Sequence, residues 1–389
     1  MWFFRCPEYY FGEDALSQLE MLSGRRAFIV TDANILSLGF VERVQAHLTA
    51  AGIVSRVFAE VEPDPSLETV RCGAEAMLED EPDWIIGLGG GSCMDAAKAM
   101  WILYERPDID PEGISPMIDL GLRRKARLVC IPTTAGTGSE SGYGVVLTNR
   151  QEQRKITLGS REATPDLAIV DPSFTVGLPA QITADTGIDV LSHAVEGYSS
   201  SWANDFTDGP CLQAARMVFA YLPRAAANGA ADMEAREKMA NAAAIAGMAL
   251  GNSQVALAHA LGHSAGAAFK RLPHGRITAV FLPYTIEFVA NGNVGRYQEL
   301  AFSLGLPAQD EHQAAAELAQ AIRRLMGEVG LPTSLADAGV SHDEFETALP
   351  LMIEHVEGDT NTLVSRRIPE GEEVERLFRY AYQGCPVDF

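Results

Sequence analysis

The tightest constraint on the fold is an alternation that runs through the first third of the chain. RRAFIVTD, VSRVFAEV, DWIIGLGGG and ARLVCIPTT are nearly unbroken apolar runs of strand length. The first three are each followed by a stretch with helical spacing: SLGFVERVQAHLTAAG, SLETVRCGAEAMLED and SCMDAAKAMWILYE. Strands that are apolar on both faces and joined by helices imply a parallel sheet covered on both sides. Such sheets take ligands beyond the carboxyl ends of their strands.

The pattern changes at DPSFTVGLPAQITADTG, where prolines and glycines punctuate the chain and strand signals fade. Ala-rich helical stretches follow: CLQAARMVFAYLPRAAANG, AREKMANAAAIAGMALG, VALAHALGHSAGAAF, HQAAAELAQAIRRLMGEVG and EEVERLFRYAYQG. A chain of 389 residues exceeds what one core usually organises. The expectation is a Rossmann-like α/β domain over residues 1–179 and an all-α domain over 180–389.

Charge removes several function classes. The formal net charge is −22, with no basic stretch to meet a phosphate backbone or an anionic bilayer, so neither nucleic acid nor membrane is an expected partner. The opening MWFF is too short for an export signal, and AAAIAGMALG is too short to span a bilayer. Six scattered cysteines without a CxxC pair read as free thiols in a reducing cytoplasm.

Two regions carry chemistry. In GLGGGSCMDAAK, three glycines (Gly89, Gly90, Gly91) join a strand to a helix, and free N–H groups at a helix start suit a pyrophosphate. Ser92 and Asp95 fit the S-x-x-D capping pattern there. A plain strand-to-helix turn reads equally well from the glycines alone. Asp32, after the strand AFIVT, suits a ribose 2′-hydroxyl, although a helix cap is the commoner use of such an acid. IPTTAGTGSE places hydroxyls at Thr133, Thr134 and Thr137, a composition that sugar and phosphate contacts share with ordinary loops.

The second region is a histidine cluster. Asp189 and His193 are four residues apart in DTGIDVLSHAVEG, as are His259 and His263 in ALAHALGHSAGAAF, so each pair shares a helix face. His274 follows at a turn. His47, His312, His342 and His355 read as core or surface residues. A carboxylate in an apolar segment needs compensation. Between Gln181 and Ala215 there is no Lys or Arg. A divalent metal held by imidazoles and one carboxylate, Zn(II) or Fe(II), would supply it; so would a cation brought close by the fold.

Together these segments resemble the iron-containing (group III) alcohol dehydrogenases, whose architecture is shared with dehydroquinate synthase. The carriers are TDANILSLG, GGGSCMDAAK, IPTTAGTGSE, DPSFTVGLP, TADTGIDVLSHAVEGY and HALGHSAGAAFKRLPHG, in family order. The resemblance implies metal ligands at Asp189, His193, His259 and His274, Fe(II) ahead of Zn(II), and a histidine near the substrate at His263. It implies NAD contacts from Asp32, Gly89, Gly90, Gly91, Ser92, Asp95, Thr133, Thr134 and Thr137, with Lys155 near the nicotinamide ribose. It further implies hydride transfer between NAD(H) and a small alcohol or aldehyde, in a homodimer or larger homo-oligomer. Two segments depart from the family: the interval from His263 to His274 is one residue longer, and DTNTLVSRRIPEGEEVERLF replaces the commoner Asn-Pro-Arg ending. The competing readings are a dehydroquinate-synthase-type lyase using NAD transiently and a non-catalytic nucleotide sensor.

Overall fold

The computed structural model describes residues 3–151 and 154–389. The chain divides into two compact units, Met1–Val176 and Gly177–Phe389, so the change of unit falls just ahead of the 179/180 boundary expected from sequence.

Among the described residues the first unit holds eight strands: β1 (Glu8–Phe11), β2 (Arg26–Val30), β3 (Val54–Phe58), β4 (Trp84–Gly89), β5 (Arg127–Pro132), β6 (Gly144–Asn149), β7 (Arg154–Gly159) and β8 (Leu167–Val170). Its helices are α1 (Ala33–Ser37), α2 (Phe40–Ala50), α3 (Leu67–Asp80) and α4 (Gly91–Glu105). Six strands form one sheet in the order β1-β8-β5-β4-β2-β3, every neighbouring pair parallel. The alternation of side chains along the strands splits the core in two. Phe28, Val30, Ile85 and Leu128 face α3 and α4, while Ala27, Ile29, Ile86 and Val129 face α2 and the turn carrying Leu16 and Leu19. The continuous apolar runs are therefore strands buried on both faces.

Chain order sets where a ligand can enter. After β2 the chain goes outward to β3, then returns to the far side of β2 as β4 and continues to β5 and β8. The reversal lies between β2 and β4, and a crevice at such a switch point opens beyond the carboxyl ends of those strands. Asp32 follows β2, and the glycines end β4 and follow it, so both flank that crevice. Three features were not visible in the sequence: the edge strand β1, the short inner strand β8, and the antiparallel hairpin β6–β7.

The second unit contains α5 (Ala180–Ser199), α6 (Asp205–Asn228), α7 (Met233–Ser253), α8 (Leu257–Ala268), α9 (His274–Asn291), α10 (Gln298–Ser303), α11 (Glu311–Glu328), α12 (His342–Gly358) and α13 (Glu373–Gln383). The helix α5 is buried along nearly its whole length and packs on α6, α7 and α9, while α8 lies against α9 and α12. No strand occurs in this unit among the described residues.

Candidate active site

The glycine turn is shaped by close approach. Gly89 has φ 147°, and a Cβ there would sit 2.6 Å from the Cys93 Sγ. The turn delivers the chain to α4, whose N-cap is Gly90, and no side chain caps it among the described residues. This corrects the capping pattern expected of Ser92 and Asp95. The helix starts at Gly91, so Ser92 lies inside the first turn, where its Oγ accepts the Asp64 N–H at 3.4 Å. Asp95 turns away from the helix start: Ser139 Oγ donates to its Oδ1 at 2.5 Å and the Val146 N–H to its Oδ2 at 2.9 Å. The uncapped N–H groups of a helix start are an anion site.

The other candidate nucleotide residues gather round this turn. Thr133 N–H donates to the Gly89 carbonyl at 3.0 Å, and the side chains of Thr134 and Thr137 face Gly90 and Gly91. Asp32 caps α1, accepting from the N–H groups of Asn34 (2.8 Å) and Ile35 (3.0 Å) through Oδ1, while the Cys93 thiol donates to Oδ2 at 3.3 Å. The commoner use of a strand-end acid is thus realised, at the edge of the turn. Lys155, on β7, donates to Asp64 Oδ1 at 2.8 Å, in the loop that also meets Ser92.

Beneath the turn, charge is consumed by the fold. Lys98 is fully buried and donates to Ser139 O (2.7 Å), Ser139 Oγ (2.8 Å) and Gly144 O (3.1 Å), with Asp95 Oδ1 at 3.6 Å. Burial pushes the neighbouring Glu140 carboxyl up to about 7 against the pull of its own backbone N–H and of Lys98.

The histidine cluster comes together in the second unit. Asp189 and His193 lie on one face of α5, His259 and His263 on α8, and His274 opens α9. Gly275 lets α9 start against α5, because a Cβ there would sit 2.8 Å from the Asp189 Cβ. His274 follows the short link after α8, and its ring faces the acid. His259 Nε2 and His274 Nε2 are each 3.9 Å from Asp189 Oδ1, and His193 Nε2 is 3.8 Å from Oδ2. These separations are too long for hydrogen bonds and near the spacing of ligands around one ion. Asp189 and His259 are 4% and 3% exposed at the side chain.

Asp189 Oδ1 and His259 Nε2 are buried with no hydrogen-bond partner among the described residues. A buried acceptor of that kind carries a desolvation penalty that some ligand must offset. Arg276, one of the cations that reach α5, is bound to Asp185 instead, at 2.8 and 2.9 Å. Burial opposes ionisation of Asp189, and the surrounding imidazoles outweigh it, holding the acid below its ordinary range. Burial likewise lowers His259 far below the usual imidazole value. Asp189, His193 and His259 bring ligand atoms within 4.8 Å of one another, a set that fits a divalent cation, and His274 Nε2 adds a fourth candidate 3.9 Å from Asp189 Oδ1.

Two residues of the site were not anticipated. Glu196, also on α5 and fully buried, accepts the Ala258 N–H at 2.6 Å through Oε1 and meets His259 Nδ1 through Oε2. Asp359, after α12, places its Oδ2 2.9 Å from His263 Nδ1. Glu196 is seven residues from Asp189, so helical spacing could have flagged it. Asp359 is 96 residues from its partner, and nothing local announces it. The divergent tail braces the helices: Arg366 donates to the Ser199 carbonyl at the end of α5, and Arg367 to the Phe288 carbonyl on α9.

A parallel-sheet α/β unit with an uncapped glycine turn is followed by a helical unit that carries an acid–imidazole cluster. Comparison with known proteins names the family. Residues 6–172 match the family model for iron-containing alcohol dehydrogenase, and residues 183–382 match its C-terminal counterpart. The chain belongs to the iron-containing alcohol dehydrogenase family. It is 37% identical to the NADPH-dependent butanol dehydrogenase of Clostridium saccharobutylicum, covering 98% of each chain. It is 36% identical to an aldehyde-alcohol dehydrogenase of Streptococcus pneumoniae, covering 96% of this chain and 45% of that one. The structure of a 1,3-propanediol oxidoreductase superposes with a TM-score of 0.90 at 34% identity, over 98% of this chain and 100% of that one. The chain is accordingly an alcohol/aldehyde oxidoreductase, and the family implies a divalent metal and a nicotinamide cofactor. The lyase and sensor alternatives gain no support from these matches. No helix among the described residues is long and apolar enough to cross a membrane.

Proposed function

We propose that this chain interconverts a small alcohol and its aldehyde or ketone, with NAD(H) held at the Gly89–Gly91 turn and one Fe(II) held by Asp189, His193, His259 and His274. The observation that carries this reading is the pair of buried ligand atoms, Asp189 Oδ1 and His259 Nε2, which face each other with no hydrogen-bond partner among the described residues. A bound divalent ion would supply Lewis acidity toward the substrate oxygen. Fe(II) is favoured by the family name and Zn(II) by nothing beyond ligand type. Asp32, Ser92, Asp95, Thr133, Thr134, Thr137 and Lys155 bind the cofactor or hold its loop in shape.

The protein's own residues position and shuttle. His263 is 35% exposed at the side chain, and its Nδ1 is engaged by Asp359. Its Nε2 is therefore the atom left to pass a proton between substrate oxygen and solvent. Asp359 orients the ring. Replacing His263 with alanine should lower kcat by ~10²-fold and change the pH profile; normal turnover across pH removes the relay.

NAD is favoured over NADP because a 2′-phosphate at Asp32 would meet a carboxylate. The NADPH dependence named for the Clostridium relative makes this choice worth testing directly. Cytoplasmic residence and a homodimer or larger assembly complete the reading, the latter checked by sedimentation. The decisive experiment is NADH formation against an alcohol panel, with chelator and then with Fe(II) or Zn(II) restored. Turnover should vanish and return with metal, and full activity in metal-free protein overturns the proposal.

A further inference from the structure

The two oxygens of Glu196 meet two different donors. Ala258 N–H donates to Oε1 at 2.6 Å, and His259 Nδ1 lies against Oε2. Both side chains are at most 4% exposed, so no solvent competes for either contact. The opposite ring atom, His259 Nε2, has no hydrogen-bond partner among the described residues and lies 3.9 Å from Asp189 Oδ1. We propose that Glu196 is the positioning residue of the metal site. By accepting the Nδ1–H it fixes His259 as the tautomer with a bare Nε2 and aims that atom at the ion.

The inference rests on the reading that Asp189, His193, His259 and His274 hold that ion. A neutral imidazole carries one ring proton, and only a bare nitrogen ligates. With the proton on Nε2 the ligand atom is blocked. A carboxylate is the group that suits this place, because it accepts on both sides. Glutamine does not: with its oxygen on the Ala258 N–H, its NH₂ faces Nδ1, which must then accept, moving the ring proton to Nε2. The flipped amide sets NH₂ against the Ala258 N–H. His193 has no such orienting partner, since its Nδ1 is buried and unpartnered among the described residues. Glu196 therefore acts on one ligand of the four.

The test is titration of metal-free protein with Co(II) against a competing chelator, for wild type, Glu196→Gln and Asp189→Ala, alongside thermal melting of each metal-free form. Glu196→Gln should weaken Co(II) binding by roughly 10–100-fold while keeping the melting temperature of the metal-free protein. Wild-type affinity in Glu196→Gln, with binding lost in Asp189→Ala, overturns the positioning role alone. Failure of wild type to bind Co(II) overturns the metal site and this inference together. Imidazole nitrogen NMR on metal-free wild type gives a reading independent of any variant: His259 should be protonated at Nδ1 and bare at Nε2. A proton on Nε2 overturns the proposal.

Discussion

Asp95 in the first unit and Asp189 in the second are both carboxylates withdrawn from water, and the protein treats them in opposite ways. Asp95 accepts from Ser139 and Val146 and sits 3.6 Å from the Lys98 ammonium. Asp189 Oδ1 has no donor among the described residues, only imidazoles 3.9 Å away. Where side-chain charge is consumed, the open valence is backbone: the uncapped first turn of α4. At the histidine cluster the open valence is side chain: Asp189 Oδ1 and His259 Nε2. An anionic cofactor suits the first arrangement and a cation the second.

The contrast breaks most visibly at Asp189. Alanine there should remove bound metal and about 4 kcal/mol or more of transition-state stabilisation, ~10³-fold in turnover. Metal analysis beside steady-state kinetics checks this; a metal-loaded, active variant means the acid is no ligand. Asp95→Ala should leave metal content intact. It should cost about 2–3 kcal/mol of stability, by stranding Lys98 and freeing the Ser139 loop, and weaken cofactor binding. Denaturant unfolding and cofactor titration read both effects.

Glu140 sharpens the comparison through pH. Its folded pKa of about 7 lies above the ordinary 4.5, so the native state binds the proton more tightly than the unfolded chain between those values. Stability should therefore fall as pH rises from about 4.5 to 7, and stay reduced above. Glu140→Gln should gain about 1–3 kcal/mol at pH 8 and almost nothing near pH 4. An equal gain at both pH values contradicts this. The smallest effect is expected at Asp32. Glycine there should shift the NADP-to-NAD ratio of kcat/KM by ~10-fold, about 1.4 kcal/mol, toward NADP. An unchanged ratio removes Asp32 from cofactor choice.

Legibility followed the range of the interactions. The central strands and most helices were readable because burial on both faces of a sheet, or on one face of a helix, writes a period into the local sequence. Thus β2, β4, β5 and α4 stood out. The strands β1 and β8 did not: each is four residues long and owes its place to partners far along the chain. The capping pattern at Ser92 misled because two residue types at the right spacing do not fix where a helix begins. The glycines move that start to Gly91.

By itself the sequence determined the alternation that makes a parallel sheet, the glycine turn, and the two pairs, Asp189 with His193 and His259 with His263. Those features depend on residues within a few positions of one another. Only the tertiary structure decided that Asp189 has no lysine or arginine partner among the described residues and that His274 reaches it. It also set Glu196 behind His259 and Asp359 behind His263. Whether a buried polar atom is satisfied is a property of everything packed around it, and close packing assembles those neighbours from α5, α8, α9 and the segment after α12.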